Sequence, residues 1–183
     1  MHPRRLVTGI DEYGRSAVVM DGNSPGHFDL LTARFDVIWR VPSLPPGLLS
    51  TNDPAQVEVY SMRTPENSLR WVVLTVPPES ESQTIDRKSE AFITARKRFD
   101  DGGVYEAGGD GWHTTNTLDL VLVVDGQIDL ELDNGIHSLS AGDCVVQRGT
   151  RHRWMNRSDR PCVLSGVIIG AAADAKGAPG APR

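Results

Sequence analysis

The sequence predicts an all-β chain, built as an antiparallel sandwich or barrel with an N-terminal extension of strands and one short helix. The first observation behind this is punctuation. Eighteen glycines and 12 prolines divide the 183 residues into short runs rich in Val, Ile, Leu and Trp. The second is alternation: Ile128, Leu130 and Leu132 interleave with Gln127, Asp129, Glu131 and Asp133, the period of two expected of a half-buried strand. The third is the recurrence of turn pairs at Asp125-Gly126, Asn134-Gly135 and Ala141-Gly142-Asp143.

Taken in order, residues 117–133, TLDLVLVVDGQIDLELD, read as a hairpin whose tight turn is Asp125-Gly126. Its first arm is apolar on both faces, with Leu118, Leu120 and Leu122 on one and Val121 and Val123 on the other, so it belongs inside the fold. Cys144-Val145-Val146, His152-Arg153-Trp154 and Val163 to Ile169 give further strands. Upstream, Val37-Ile38-Trp39, Val57 to Met62 and Trp71 to Val76 are expected strands, separated by loops such as VPSLPPG at 41–47. Residues 88–100, KSEAFITARKRFD, place Ala91, Phe92, Ala95 and Phe99 at helical spacing on one face. The tail AAADAKGAPGAPR, 171–183, has little to bury and is expected to be disordered. The chain thus divides into an extension over 1–102, packing on the barrel or on a partner subunit, a barrel over 103–170 and a tail over 171–183.

Charge and composition exclude several functions. Nineteen Lys+Arg against 24 Asp+Glu leave a formal charge of −5, and no helix-turn-helix pattern occurs, so no nucleic-acid partner is expected. No apolar run approaches the ~20 residues of a membrane span, and the N-terminus lacks the apolar core of a secretory signal; a cytoplasmic location is expected. Two cysteines, Cys144 and Cys162, cannot build a disulfide framework, and both sit at apolar strand positions as expected reduced core residues. Any metal therefore rests on histidine and carboxylate.

His113, Thr115 and Asp119 share strand parity with Val121 and Val123, and His152 opens another strand about forty residues on. A barrel that joins the two strands brings two imidazoles and one carboxylate to a point, the ligand set of an open transition-metal site. His2, His27 and His137 lie near turns or in a Gly/Pro-rich loop and read as surface residues.

These residues also carry a family resemblance. The stretches GWHTTNTLDLVLVVDG (111–126) and AGDCVVQRGTRHRWMN (141–156) resemble the two motifs of the cupin superfamily. His113 stands at the first motif's first histidine, Thr115 at its second, Asp119 at its glutamate, and Gly126 follows after six residues. Gly149, His152 and Asn156 reproduce the end of the second motif, with Gln147 at its usual proline. The resemblance implies a double-stranded β-helix (jelly-roll) barrel and a divalent metal, Fe, Mn, Zn or Ni, held by His113, Asp119 and His152. It further implies an enzyme acting on a small organic molecule, aromatic or carboxylate-bearing, as an oxygenase, decarboxylase, hydrolase or isomerase. Asp119 and His113 are the expected catalytic pair, and Thr115, Gln147, Trp154 and Arg148 the expected substrate-binding residues. The alternative is a non-catalytic, metal-free small-molecule binder, a sensor or accessory protein. Exposed sheet edges make a homodimer the expected assembly.

Overall fold

The computed structural model describes residues 2–48, 52–108 and 110–172. The elements run β1 (Arg4–Ile10), β2 (Ser16–Asn23), β3 (Gly26–Asp29), β4 (Arg34–Val41), β5 (Tyr60–Ser61), β6 (Leu69–Val76), α1 (Glu79–Ser82), α2 (Glu90–Arg96) and β7 (Phe99–Asp100). They continue as β8 (Thr117–Asp125), β9 (Gln127–Leu132), β10 (Gly135–Ser140), β11 (Cys144–Arg148), β12 (Arg153–Met155) and β13 (Cys162–Gly170). The chain is mostly β, as its residue pattern requires.

Six strands form one antiparallel sheet in the order β11-β8-β13-β6-β4-β3, so three strands from the N-terminal half extend the sheet that β8 and β13 begin. A second sheet, β10-β9-β12, stands opposite. Val123 and Leu164 from the first sheet pack with Ile128 of the second, backed by Leu139 and Trp154. Burying such side chains stabilises by about 1.5–3 kcal/mol each. A second cluster fills the N-terminal half, where Phe28, Phe35, Val37, Tyr60, Val72 and Phe99 meet. Among the described residues no strand ladder joins the two sheets, so they face each other as layers and do not close into a continuous barrel. Outside the named strands, isolated bridges join Tyr105 to His113 and His113 to His152.

Asp125-Gly126 is not a hairpin. β8 pairs with β11 and β13, whereas β9 pairs with β10 and β12, so the chain crosses between sheets at Gly126. The doubly apolar first arm explains this: β8 lies between two neighbours within its own sheet, and the next strand must start the opposite layer. Gly126 has φ +85°, and a Cβ there would lie 2.8 Å from the Pro161 carbonyl oxygen. Asn134-Gly135 does close a hairpin, with Leu132 opposite Gly135.

Other expectations change in detail. Of the expected strand Val57 to Met62 only β5 forms, pairing in parallel with β7. The helix spans only Glu90–Arg96 and is capped by Ser89, whose side chain accepts from the Phe92 amide, but it buries no residue, and Phe99 instead enters β7 and the core. β1 and β2 form a hairpin that the polar run RRLVTGI did not announce. Cys162 is buried, but Cys144 is exposed on β11 rather than a core residue. Of the tail expected to be disordered, 171–183, residues 173–183 lie outside the described residues.

Candidate functional site

The register aligns one row of side chains across the inner face of the large sheet. Gln147 faces Asp119, Asp119 faces Ile168, and Ile168 faces Arg70. Directly opposed residues share a face, so the row points toward the same interior as Val121, Val123 and Leu164. In the next row inward Gly166 separates Val121 from Val72, and an added Cβ there would make ordinary contact with Val121 Cγ2 at 3.7 Å.

Against this row stand two imidazoles. His113 and His152 are both buried, with ring centroids 4.2 Å apart. Each amide donates to the other's carbonyl at 3.0 Å, which fixes the ring spacing through the backbone. His113 Nδ1 lies 2.9 Å from the Gly111 carbonyl, which assigns it the proton. His152 Nδ1 lies 2.9 Å from both the Thr150 carbonyl and Gln147 Nε2. The two Gln147 amide hydrogens have better-placed acceptors in the Thr150 carbonyl and hydroxyl, at 2.8 and 2.7 Å. The His152 proton therefore also sits on Nδ1 and is donated to Thr150. Both Nε2 lone pairs are left free. Burial holds the His113 imidazole below its ordinary pKa, and burial followed by the neighbouring His113 pushes His152 down to about 4, so both rings are neutral at pH 7.

Asp119 answers a different environment. Burial raises its pKa against a hydrogen bond with Thr117 and the charge of Arg70. Its Oδ1 is buried and has no hydrogen-bond partner. Arg70, on the same row, donates to the Ser61 and Met62 carbonyls and lies over the Tyr60 ring, yet its buried Nε has no partner either. Ring contacts run from this region through the imidazoles: Tyr60 to Phe99, Phe99 to Tyr105, Tyr105 to His113 at 5.0 Å, and His152 to Trp154 at 6.2 Å.

The structure therefore brings His113 and His152 together and sets Gln147 and Trp154 beside them, but it does not assemble the expected metal triad. Among the described residues, the group of three potential ligand atoms within 4.8 Å of one another is His2, His27 and Asp36, and not His113, Asp119 and His152. Thr115, at the position of the third histidine, spends its buried hydroxyl on Thr117 at 2.7 Å. Two imidazoles alone do not fit a resident ion.

The arginines also differ from expectation. Arg148 is exposed on β11 and alternates to the face opposite Gln147, away from the row. Arg151 is held by Glu106 and Asp133 and lies over Trp112. Arg153 and Arg157 both pair with the buried Glu131. The motif asparagine, Asn156, is a structural brace, donating to the Val76 and Arg160 carbonyls at 2.9 and 2.8 Å. A surface hollow of about 250 Å³ lies instead between α1 and the β12–β13 loop, lined by Glu79, Gln83, Arg157 and neighbours, and shares no residue with the row or the imidazoles.

Arg70, Tyr60 and Tyr105 escaped the sequence reading. Arg70 left one signal, a charge inside the otherwise apolar run Leu69–Val76. His27 and Asp36 left none, because their meeting depends on the register of β3 against β4.

Residues 104–169 match the family model described as Cupin domain. Over 47 residues the chain is 53% identical to phomopsin biosynthesis cluster protein C′ of Diaporthe leptostromiformis, 25% of each chain. Over 48 residues it is 46% identical to oryzines biosynthesis cluster protein J of Aspergillus oryzae, 26% of this chain and 27% of that one. These matches span about a quarter of the relatives' own length. Among solved structures, a sugar phosphate isomerase from a cupin superfamily, from Silicibacter pomeroyi, aligns with 92% of this chain and 71% of its own at TM-score 0.40 and 14% identity. A cupin 2 conserved barrel domain protein from Salinispora arenicola aligns over 56% of this chain and 64% of its own, at TM-score 0.34 and 18% identity.

Proposed function

Starting from a chain that carries a cupin domain over residues 104–169, we propose that it binds a small organic molecule between Asp119, Arg70 and the His113–His152 pair and acts on it by proton transfer. One observation carries this reading. A buried N–H of Arg70 and a buried carboxylate oxygen of Asp119 lie on one row, both without partners. Unsatisfied buried polar groups cost about 1–3 kcal/mol each, which a ligand bonding to both recovers. The two residues are separated by one strand, hence about 10 Å at the backbone, with the apolar Ile168 on the row between them.

The chemistry suits a ligand that offers both polarities. An acidic or carbonyl oxygen accepts from Arg70 Nε, and a hydroxyl engages Asp119. The neutral imidazoles supply free Nε2 acceptors, and Asp119, with its raised pKa, can hold or release a proton. Isomerisation, decarboxylation and hydrolysis are the reactions these groups serve. The curated relatives carry the names of biosynthesis cluster proteins, which agrees with a small metabolite as ligand. The non-catalytic binder uses the same site without turnover.

The test is a thermal-shift comparison of 2-hydroxybenzoate, which has both groups, with benzoate, which lacks the hydroxyl. Greater stabilisation by 2-hydroxybenzoate supports the reading. Equal or absent shifts with both probes count against it.

A further inference from the structure

We infer that His2, His27 and Asp36 form a binding site for a borderline divalent cation, such as Zn(II), on the outer face of the large sheet. The site begins with register: His27 on β3 stands directly opposite Asp36 on β4. Their neighbours Phe28 and Phe35 enter the core, so alternation turns His27 and Asp36 to the other face, away from the His113–His152 pair.

His27 Nδ1 lies 2.9 Å from Asp36 Oδ1, and His2 Nδ1 reaches the same oxygen at 3.3 Å from the segment just before β1. The two imidazole centroids are 3.6 Å apart. Ligands bound at about 2.1 Å from one ion stand about 3.0 Å apart at right angles and about 3.4 Å apart in a tetrahedron. The two nitrogen–oxygen separations fall within about 0.1 Å of that interval, so an ion needs only small ring movements.

A second observation points to a ligand. Asp36 is 1% exposed, and its Oδ2 is buried with no hydrogen-bond partner. A desolvated carboxylate with one oxygen lacking any donor is costly, and a cation held through both oxygens of Asp36 offsets that cost. The donor set chooses the class. Two imidazoles with one carboxylate favour Zn(II), Co(II) or Ni(II) over Ca(II) and Mg(II), which prefer all-oxygen shells. His2 is exposed and His27 partly so, which leaves an entry route and positions for water. Binding there would clip the start of β1 to the large sheet.

The measurement is Zn(II) binding to the tag-free full chain, by equilibrium dialysis with elemental analysis at pH 7.5. The background is Cys144→Ser, which removes the exposed thiol as a rival ligand. One Zn(II) per chain is expected, retained in His113→Ala/His152→Ala and weakened at least tenfold in His27→Ala. Because buried Asp36 variants can misfold, the exposed His2→Ala serves as the second variant and must weaken binding while leaving the circular dichroism unchanged. Unaltered binding in both His2→Ala and His27→Ala overturns the site, as does loss of the ion only with the His113/His152 pair. The absence of any Zn(II) binding overturns it as well. None of these outcomes bears on 2-hydroxybenzoate, so the two readings fail separately.

Discussion

His113 and His152 exchange both of their backbone hydrogen bonds, amide to carbonyl at 3.0 Å each way, and so hold two buried imidazoles with centroids 4.2 Å apart. Two segments nearly forty residues apart are joined at one bridge. Burial keeps both rings uncharged, reinforced at His152 by the neighbouring His113, and the consequences of that can be measured.

Acid should unfold the protein through this pair. His152 has a folded pKa near 4 against an ordinary 6.5, so between those values the unfolded chain binds more protons than the folded one. Stability is therefore full above pH 6.5 and falls as pH drops toward 4, by about 3 kcal/mol from this group. His113 shifts in the same direction and adds to the loss, while Asp119, with its raised pKa, partly offsets it. Urea denaturation at pH 7 and pH 4.5 should show the drop, and His152→Asn should flatten it; a wild-type profile level over that range contradicts the assignment.

Asp119 should cost stability for the sake of its ligand. Its buried oxygen has no partner, and charging it becomes less favourable on folding. Asp119→Asn is expected to raise stability at pH 8 by about 1 kcal/mol, because the neutral amide needs less solvation. A loss of stability in this variant would mean that the carboxylate is satisfied by a partner in solution.

Gly126 should not tolerate a side chain. At φ +85° an L-residue is strained, and the Cβ would press on Pro161 and Cys162 where the chain passes between sheets. Gly126→Ala should cost about 2 kcal/mol or more, read as a lowered denaturation midpoint. Gly166→Ala, whose Cβ meets ordinary contacts, should fold normally.

Glu131 should be a structural keystone and not a catalytic acid. Burial works to raise its carboxyl, but hydrogen bonds from Arg157 and Arg153 outweigh this and hold it below the ordinary range. Glu131→Ala takes the carboxylate from Arg153 and leaves Arg157 with Asp129 alone, and should destabilise by about 1–2 kcal/mol, with the ligand affinity of the folded fraction unchanged. A folded variant with lost affinity would place Glu131 in the site instead.

Much of this was legible in the residues. Alternation in Gln127–Leu132 gave β9, and the Asn134-Gly135 pair gave the true hairpin, because local turn chemistry decides both. The spacing of His113 and His152 named two residues that do meet. What was not legible depends on register over long separations. Asp125-Gly126 has the same turn chemistry as a hairpin, yet the partners of β8 are β11 and β13, which lie further along the chain. Asp119 shares parity with the imidazole segment but aligns instead with Ile168 and Arg70, a strand from the other half. His2 and His27 read as unrelated surface residues, and nothing in the residue pattern ties them to Asp36 until β3 and β4 pair.

The most direct test of the account is calorimetric titration of 2-hydroxybenzoate into wild type and into Asp119→Leu, which fills the same space without a polar partner. Saturable binding to wild type and at least tenfold weaker binding to Asp119→Leu are expected. Equal affinity for the two proteins, or no binding to wild type, would contradict a ligand site between Asp119 and Arg70.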